Sequence, residues 1–169
     1  MTIDLRPVHD ADLPAILALN NAAHPAVPVT DESELAELVS LCSSATVADS
    51  NGRVVAFLLA VDPGSDYASE NYAFFSSRAE KAGNTFLYID RIVVADSSRG
   101  TGIGRRLYEA AFVQASRDGR DEVTCEVNID PPNPESLAFH ERMGFSRVGD
   151  QVTKGGAVVV ALMAAPVTR

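Results

Sequence analysis

Thr85-Phe86-Leu87-Tyr88-Ile89-Asp90-Arg91-Ile92-Val93-Val94, followed after a short spacer by Arg99-Gly100-Thr101-Gly102-Ile103-Gly104-Arg105-Arg106, is the stretch on which the fold turns. Its first half is an apolar run rich in β-branched residues, the pattern of a buried strand. The small polar residues Ala95-Asp96-Ser97-Ser98 end it as a turn. Leu107-Tyr108-Glu109-Ala110-Ala111-Phe112-Val113 then has helical composition. A strand, a glycine turn and a helix in that order make an anion site, because the first amides of a helix lack intrahelical partners and face the positive end of its dipole. Glycine removes the Cβ that would keep a ligand off the backbone. Arg99, Arg105 and Arg106 add positive charge. The stretch therefore reads as a phosphate or pyrophosphate cradle.

Three phosphate loops compete. A Walker loop needs Lys and then Ser or Thr after its last glycine, where this chain has Arg105-Arg106. A dinucleotide fingerprint needs Gly-x-Gly-x-x-Gly, and Gly100-Thr101-Gly102-Ile103-Gly104 has other spacing. The third, Arg-x-x-Gly-x-Gly, is met by Arg99, Gly102 and Gly104. The ligand-free alternative is a tight strand-to-helix turn. A second motif follows roughly 30 residues on, the distance that one helix and one strand require: Asn133-Pro134-Glu135-Ser136-Leu137-Ala138-Phe139-His140-Glu141-Arg142-Met143-Gly144-Phe145. Together, in this order, the two motifs resemble the acetyl-CoA loop and the later signature of the GNAT N-acetyltransferase superfamily, most directly over residues 84–150 and elsewhere by pattern.

Composition sets limits. The chain has 169 residues, enough for one domain, read as spanning 1–169. No apolar run approaches the ~20 residues of a membrane span. The N-terminus lacks the basic-then-apolar pattern of a signal peptide, so a cytoplasmic protein is expected. Cys42 and Cys125 read as reduced core thiols. A net charge of −9 argues against nucleic acid as a partner and suits a cationic acceptor, although overall charge says little about a particular substrate.

In chain order, Thr2–Arg6 alternates as a first strand. Asp10 is placed to cap a helix over Ala11–Ala22, with Leu13, Ile16, Leu17 and Asn20 along one side. Thr30–Glu34 opens a second helix running to about Cys42. Ala45–Asp49 and Arg53–Val61 form a hairpin around Ser50-Asn51-Gly52. The segment 62–75 is aromatic and polar, and helical from Ser69. Its rings either dock on the core or wall an acceptor pocket. Next come the strand Thr85–Val94, a helix Gly104–Arg117, a strand Glu122–Asn128, and a loop Ile129–Pro132 whose prolines block a ladder. A helix then runs from Pro134 to about Met143. Phe145–Thr153 and Ala157–Met163 form a hairpin turning at Lys154-Gly155-Gly156. The resemblance implies an α/β (α+β) fold, a mixed, mostly antiparallel sheet of six to seven strands with helices on both faces, in the order β-α-α-β-β-(α)-β-α-β-α-β-β.

It also implies a chemistry: transfer of an acetyl group from acetyl-CoA to a primary amine of a small molecule or peptide, by direct attack in a ternary complex. The alternative is a domain of the same fold that binds an acyl-CoA as a sensor or scaffold. Backbone amides from Gly100, Thr101, Gly102, Ile103 and Gly104, with Arg99 and Arg105, would take the pyrophosphate. Ile92, Val93 and Val94 would pair with the pantetheine arm and polarise the thioester. Asn128, Asn133, Ser136 and Phe139 are further cofactor contacts, with helix capping as the alternative for Asn133. His140 stands where relatives usually carry a Tyr that meets the leaving thiolate. It reads as an acid, a cofactor contact or a structural residue. Asp90, where several relatives carry a Glu, is a base or an amine anchor; the alternative is an ion pair with a basic residue, for which Arg91, pointing the other way along the strand, is a poor choice. Tyr72, Phe75 and Tyr88 are candidate acceptor contacts, with core packing as the alternative. No residue cluster has metal-ligand spacing. Relatives often dimerise, so a homodimer is left open.

Overall fold

The computed structural model describes residues 2–168. Seven strands, β1 (Asp4–Pro7), β2 (Ser44–Ser50), β3 (Arg53–Val61), β4 (Phe86–Val94), β5 (Glu122–Asp130), β6 (Ser146–Thr153) and β7 (Val158–Pro166), lie in one sheet in the order β1-β2-β3-β4-β5-β7-β6. Five helices join them: α1 (Leu13–Ala22), α2 (Glu32–Leu41), α3 (Glu70–Ala82), α4 (Ile103–Arg117) and α5 (Pro134–Arg142). The described residues group into two compact units, one within Met1–Val61 and Arg91–Ala111, the other within Asp62–Asp90 and Phe112–Arg169.

In the first unit, β2 and β3 are joined by Asn51-Gly52, with φ of 53° and 83°. Both values are positive, as a two-residue hairpin turn demands. The core comprises Ile16 of α1, Val47 and the Val55–Val61 run, with Ile103, Leu107 and Tyr108 of α4 buried as well. Helix α2 opens with the capping box expected of its acidic start: Asp31 accepts from the Glu34 N–H at 2.9 Å and Glu34 accepts from the Asp31 N–H at 3.2 Å. The α1 start departs from expectation. Asp10 does not cap it; Asp10–Asp12 form a 3-10 turn and the helix begins at Leu13. The Asp12 carboxylate instead accepts from Arg6 at 2.7 and 2.9 Å, a two-pronged, charge-assisted pair. Cys42 is only half-buried, and its thiol donates to the Leu38 carbonyl.

In the second unit, α3 starts at Ser69, whose hydroxyl accepts from the Tyr72 N–H. Tyr72 and Phe75 turn inward onto Phe86 and Tyr88 of β4, with ring centroids 5.6 to 6.3 Å apart. Strand β4 pairs with β5 in parallel over only three residues, Phe86–Tyr88 against Glu122–Thr124, and runs on for six more. Strand β5 is longer than expected. A bulge between Asn128 and Asp130 lets Asp130 pair with Val159, so the ladder to β7 passes Ile129 and stops only at Pro131, which has no N–H to give.

Candidate active site

The candidate residues fall into three groups, and each is described within its own unit. The first is the turn into α4. After the 3-10 turn Asp96–Ser98, residues Arg99 to Gly102 are exposed, and Ile103 opens the helix with its side chain buried. The first backbone bond of that turn runs from the Arg106 N–H to the Gly102 carbonyl at 3.1 Å. The amides of Ile103, Gly104 and Arg105 precede it and are the orphan donors of a helix start. Gly100 and Gly102 have φ of 73° and 81°. A Cβ on either would meet nothing within 4 Å. Within the chain, glycine is thus needed there for the left-handed backbone rather than to clear a neighbouring protein atom. Arg99 pairs with Asp96 at 3.1 Å and Arg105 with Glu109 at 2.8 Å. Both are exposed surface pairs, weak enough to yield to a stronger anion. Orphan amides, a helix N-terminus and two movable guanidinium groups are the donor set that suits a pyrophosphate.

The second group surrounds Asp90. Its half-buried carboxylate accepts from the Tyr67 hydroxyl. Tyr88, two residues earlier on the same face, is fully buried and donates to Glu126 at 2.7 and 2.9 Å. Burial, with Glu126 and Asp90 nearby, pushes the Tyr88 hydroxyl well above its ordinary pKa, so it stays a donor. Tyr72 and Phe75 sit at 4% and 1% exposure in the ring cluster, which is the packing alternative for both. Sequence reasoning missed Tyr67 and Glu126. A signal existed for Glu126: Glu122, Thr124, Glu126 and Asn128 form a polar stripe along one face of β5, while Val123, Cys125 and Val127 are buried on the other.

The third group is on α5. Asn133 caps the helix, accepting from the Ser136 N–H at 3.3 Å. His140 is 3% exposed, with the rings of Phe139 and Phe145 each 5.3 Å away. Its Nδ1 lies 2.7 Å from the Ser136 carbonyl oxygen. A carbonyl only accepts, so the neutral ring carries its proton on Nδ1. Burial holds the His140 pKa below its usual value. At neutral pH the ring is therefore neutral, and Nε2 has no proton to give. Ile92 and Val94 of β4 are partly exposed, Val93 is buried, and Asn128 is half-buried on the polar stripe.

The pattern of the acetyltransferase (GNAT) family matches residues 13–145. The chain belongs to the GNAT family. That match takes in the turn, Asp90 and α5 together. Among relatives of this family, the acetyltransferase Atu2258 of Agrobacterium fabrum is 33% identical over 64 residues, 38% of this chain. The matched stretch spans 44% of that protein, less than half its length. The fold is shared with Ard1 from Thermoplasma volcanium, at a TM-score of 0.80, 16% identity and full coverage of both chains. It is shared also with yncA of Salmonella typhimurium, a putative acetyltransferase solved with its cofactor acetyl-CoA, at a TM-score of 0.72 and 21% identity over 100% of this chain and 96% of that one.

Proposed function

We propose that this GNAT chain, read as one catalytic domain over residues 1–169, is an acetyl-CoA-dependent N-acetyltransferase acting on a primary amine of a small molecule or peptide. The observation that carries the reading is the exposed strand-to-helix turn, with its orphan amides and left-handed glycines, inside a chain of the GNAT family. The Gly100–Gly104 amides, Arg99 and Arg105 would hold the pyrophosphate, and the backbone of Ile92–Val94, beyond the last β4–β5 pair, would take the pantetheine arm. Asn128 and, on α5, Asn133, Ser136 and Phe139 would border the rest of the cofactor. Bound acetyl-CoA supplies an acetyl thioester open to attack by an amine.

This chain's own part is proton handling and orientation. Asp90 takes a proton from the acceptor ammonium, leaving the nitrogen lone pair free to attack. Tyr88 holds Glu126 beside it, and that second carboxylate favours a cationic acceptor. The residues gathered around Asp90 are carboxylates and phenols, which suits direct attack in a ternary complex better than a covalent acyl-enzyme. His140 takes no part in proton transfer and holds α5 in place. The test is a thiol-release assay with acetyl-CoA and a panel of primary amines. Amine-dependent thiol release with a matching acetylated product supports the reading. Cofactor binding without amine-dependent release would favour a sensor.

A further inference from the structure

Strand β6 ends the sheet and, among the described residues, pairs with β7 alone. An end strand offers a row of backbone donors and acceptors to any other strand, and proteins blunt such edges with shortness, proline, charge or a bulge. The other end strand, β1, is blunted: it has four residues, carries Asp4 and Arg6 and stops at Pro7. In β6 the one bulge, between Arg147 and Gly149, spoils only the first half. From Gly149 to Thr153 the strand runs against Leu162 to Val158 of β7 without a slip, and it contains no proline.

This second half is fixed from one face. The Gln151 amide donates to Oδ1 of Asn71 on α3 at 2.9 Å, a Cβ on Gly149 would lie 3.1 Å from the Phe74 ring, and Thr153 is buried. Alternation turns Asp150 and Val152 the other way. Val152 is 62% exposed, more than any other large apolar residue among those described. Lys154, two residues on, opens the turn into β7 and is exposed too. Asp150 is exposed and pairs with Arg147 in a surface ion pair of the weak kind.

Val152 thus has an acid two residues before it and a base two residues after. Laid antiparallel on a second copy about Val152, the strand sets valine on valine and Asp150 across from Lys154 on both sides. Directly opposed residues of antiparallel strands have Cβ atoms about 4.5–5.5 Å apart, close enough for both kinds of pair to form. A shift of two residues would put each Val152 against an Asp150 or a Lys154 instead.

We propose that the open edge of β6 is a self-association surface. Its partner is a second copy of this chain, paired antiparallel through Asp150–Lys154 with Val152 on the two-fold axis. The same patch serves both copies, so the assembly closes at two. The contact is short, which places it among weak, reversible interfaces rather than obligate ones. It is independent of the proposed reaction and uses none of the residues given to it.

Sedimentation velocity of the full chain from about 5 to 500 µM, the range of a weak interface, tests the proposal. The wild-type weight-average mass is expected to climb with concentration toward that of two chains and no further. Val152→Lys, at an exposed site, is expected to keep the wild-type urea midpoint and to weaken association by about tenfold or more. Asp150→Lys sets lysine against lysine and is expected to weaken it by about tenfold. Adding Lys154→Asp restores opposite charges and is expected to bring association back to within about threefold of wild type. Aspartate suits that position because it tolerates the left-handed backbone, with φ of 52°. A wild-type chain that stays single at every concentration overturns the proposal. So does association that Val152→Lys leaves unchanged, since the contact then lies on another surface. Association that the double exchange fails to restore overturns the pairing about Val152, whether or not Val152→Lys has lowered the urea midpoint. Growth beyond two copies contradicts a closed pair.

Discussion

Asp90 and Arg91 are neighbours in β4 and answer to opposite sides of it. The Asp90 carboxylate accepts from the Tyr67 hydroxyl, while Arg91 donates to Oδ1 of buried Asn20 at 3.0 Å. Strand alternation separates them, as it separates any adjacent pair. Asn20 in turn donates to the Pro28 carbonyl at 2.8 Å, so this bond ties Arg91 to α1 and the loop after it.

Asp90 is therefore the carboxylate to change first. Asp90→Asn keeps the shape and can still accept from Tyr67 through its amide oxygen, but it can no longer take a proton. We expect kcat/KM for the acceptor to fall by about 100-fold or more, within the usual range for loss of a general base. Acetyl-CoA affinity, measured by calorimetry, is expected to stay within about twofold. A weaker hold on acetyl-CoA with an unchanged acceptor rate would move Asp90 out of the chemistry and into the cofactor site.

His140 supplies the opposite expectation. His140→Asn retains a donor that can reach the Ser136 carbonyl and removes Nε2. Turnover of this variant is expected to stay within about threefold of wild type at every pH assayed, because removing a true acid would cost ~100-fold or more. A large loss of kcat at unchanged acetyl-CoA affinity would restore His140 as the thiolate's acid.

The same histidine gives a pH dependence of stability. Burial lowers the folded pKa of His140 below its ordinary 6.5. Below pH 6.5 the unfolded chain takes up a proton there before the folded chain does, so its contribution to stability is complete above 6.5 and is lost as the pH falls through the folded value. Urea midpoints between pH 7.5 and 5.5 are expected to drop more for wild type than for His140→Asn. Parallel curves would mean that the ring takes up its proton as readily in the folded chain as in the unfolded one.

A second titration belongs to Arg6 and Asp12. The guanidinium holds the Asp12 carboxyl at about 2, below its ordinary 3.8. Its contribution is present above 3.8 and is lost as the pH falls through about 2. Asp12→Asn is expected to be less stable than wild type at pH 7 and to lose less stability on acidification across that window. Denaturant midpoints at pH 5, 3.5 and 2.5 read this directly.

What the chain disclosed in advance was mainly local. The Asn51-Gly52 turn, the Asp31–Glu34 capping box and the Asn133-Pro134 helix start each depend on residues a few positions apart, and each formed as read. The glycine turn at 99–104 is local in the same way. The features that escaped depend on distant partners. Asp10 does not cap α1, and the Asp12 carboxylate just before the helix is taken by Arg6 from across the turn. Strand β5 outlasts its expected end because β7 offers a ladder around a bulge. Tyr67 lies 23 residues from Asp90, and Tyr88 lies 38 from Glu126. Nothing in the spacing of either pair announces a contact, since only folding brings them together. The ring cluster was foreseeable as apolar packing, whereas the choice of Tyr67 as the residue that keeps its hydroxyl on a carboxylate was not.

The most direct measurement is a calorimetric titration of the purified chain with acetyl-CoA, run beside Gly102→Ala. An alanine forced to a φ of about 81° costs roughly 1–2 kcal/mol. An exposed turn relieves that strain by relaxing when empty, so the ligand must restore it. The expected result is saturable binding by the wild-type chain and binding about 5- to 30-fold weaker by the variant. No binding by the wild-type chain, or equal affinity in the two, would contradict a pyrophosphate seat at the start of α4.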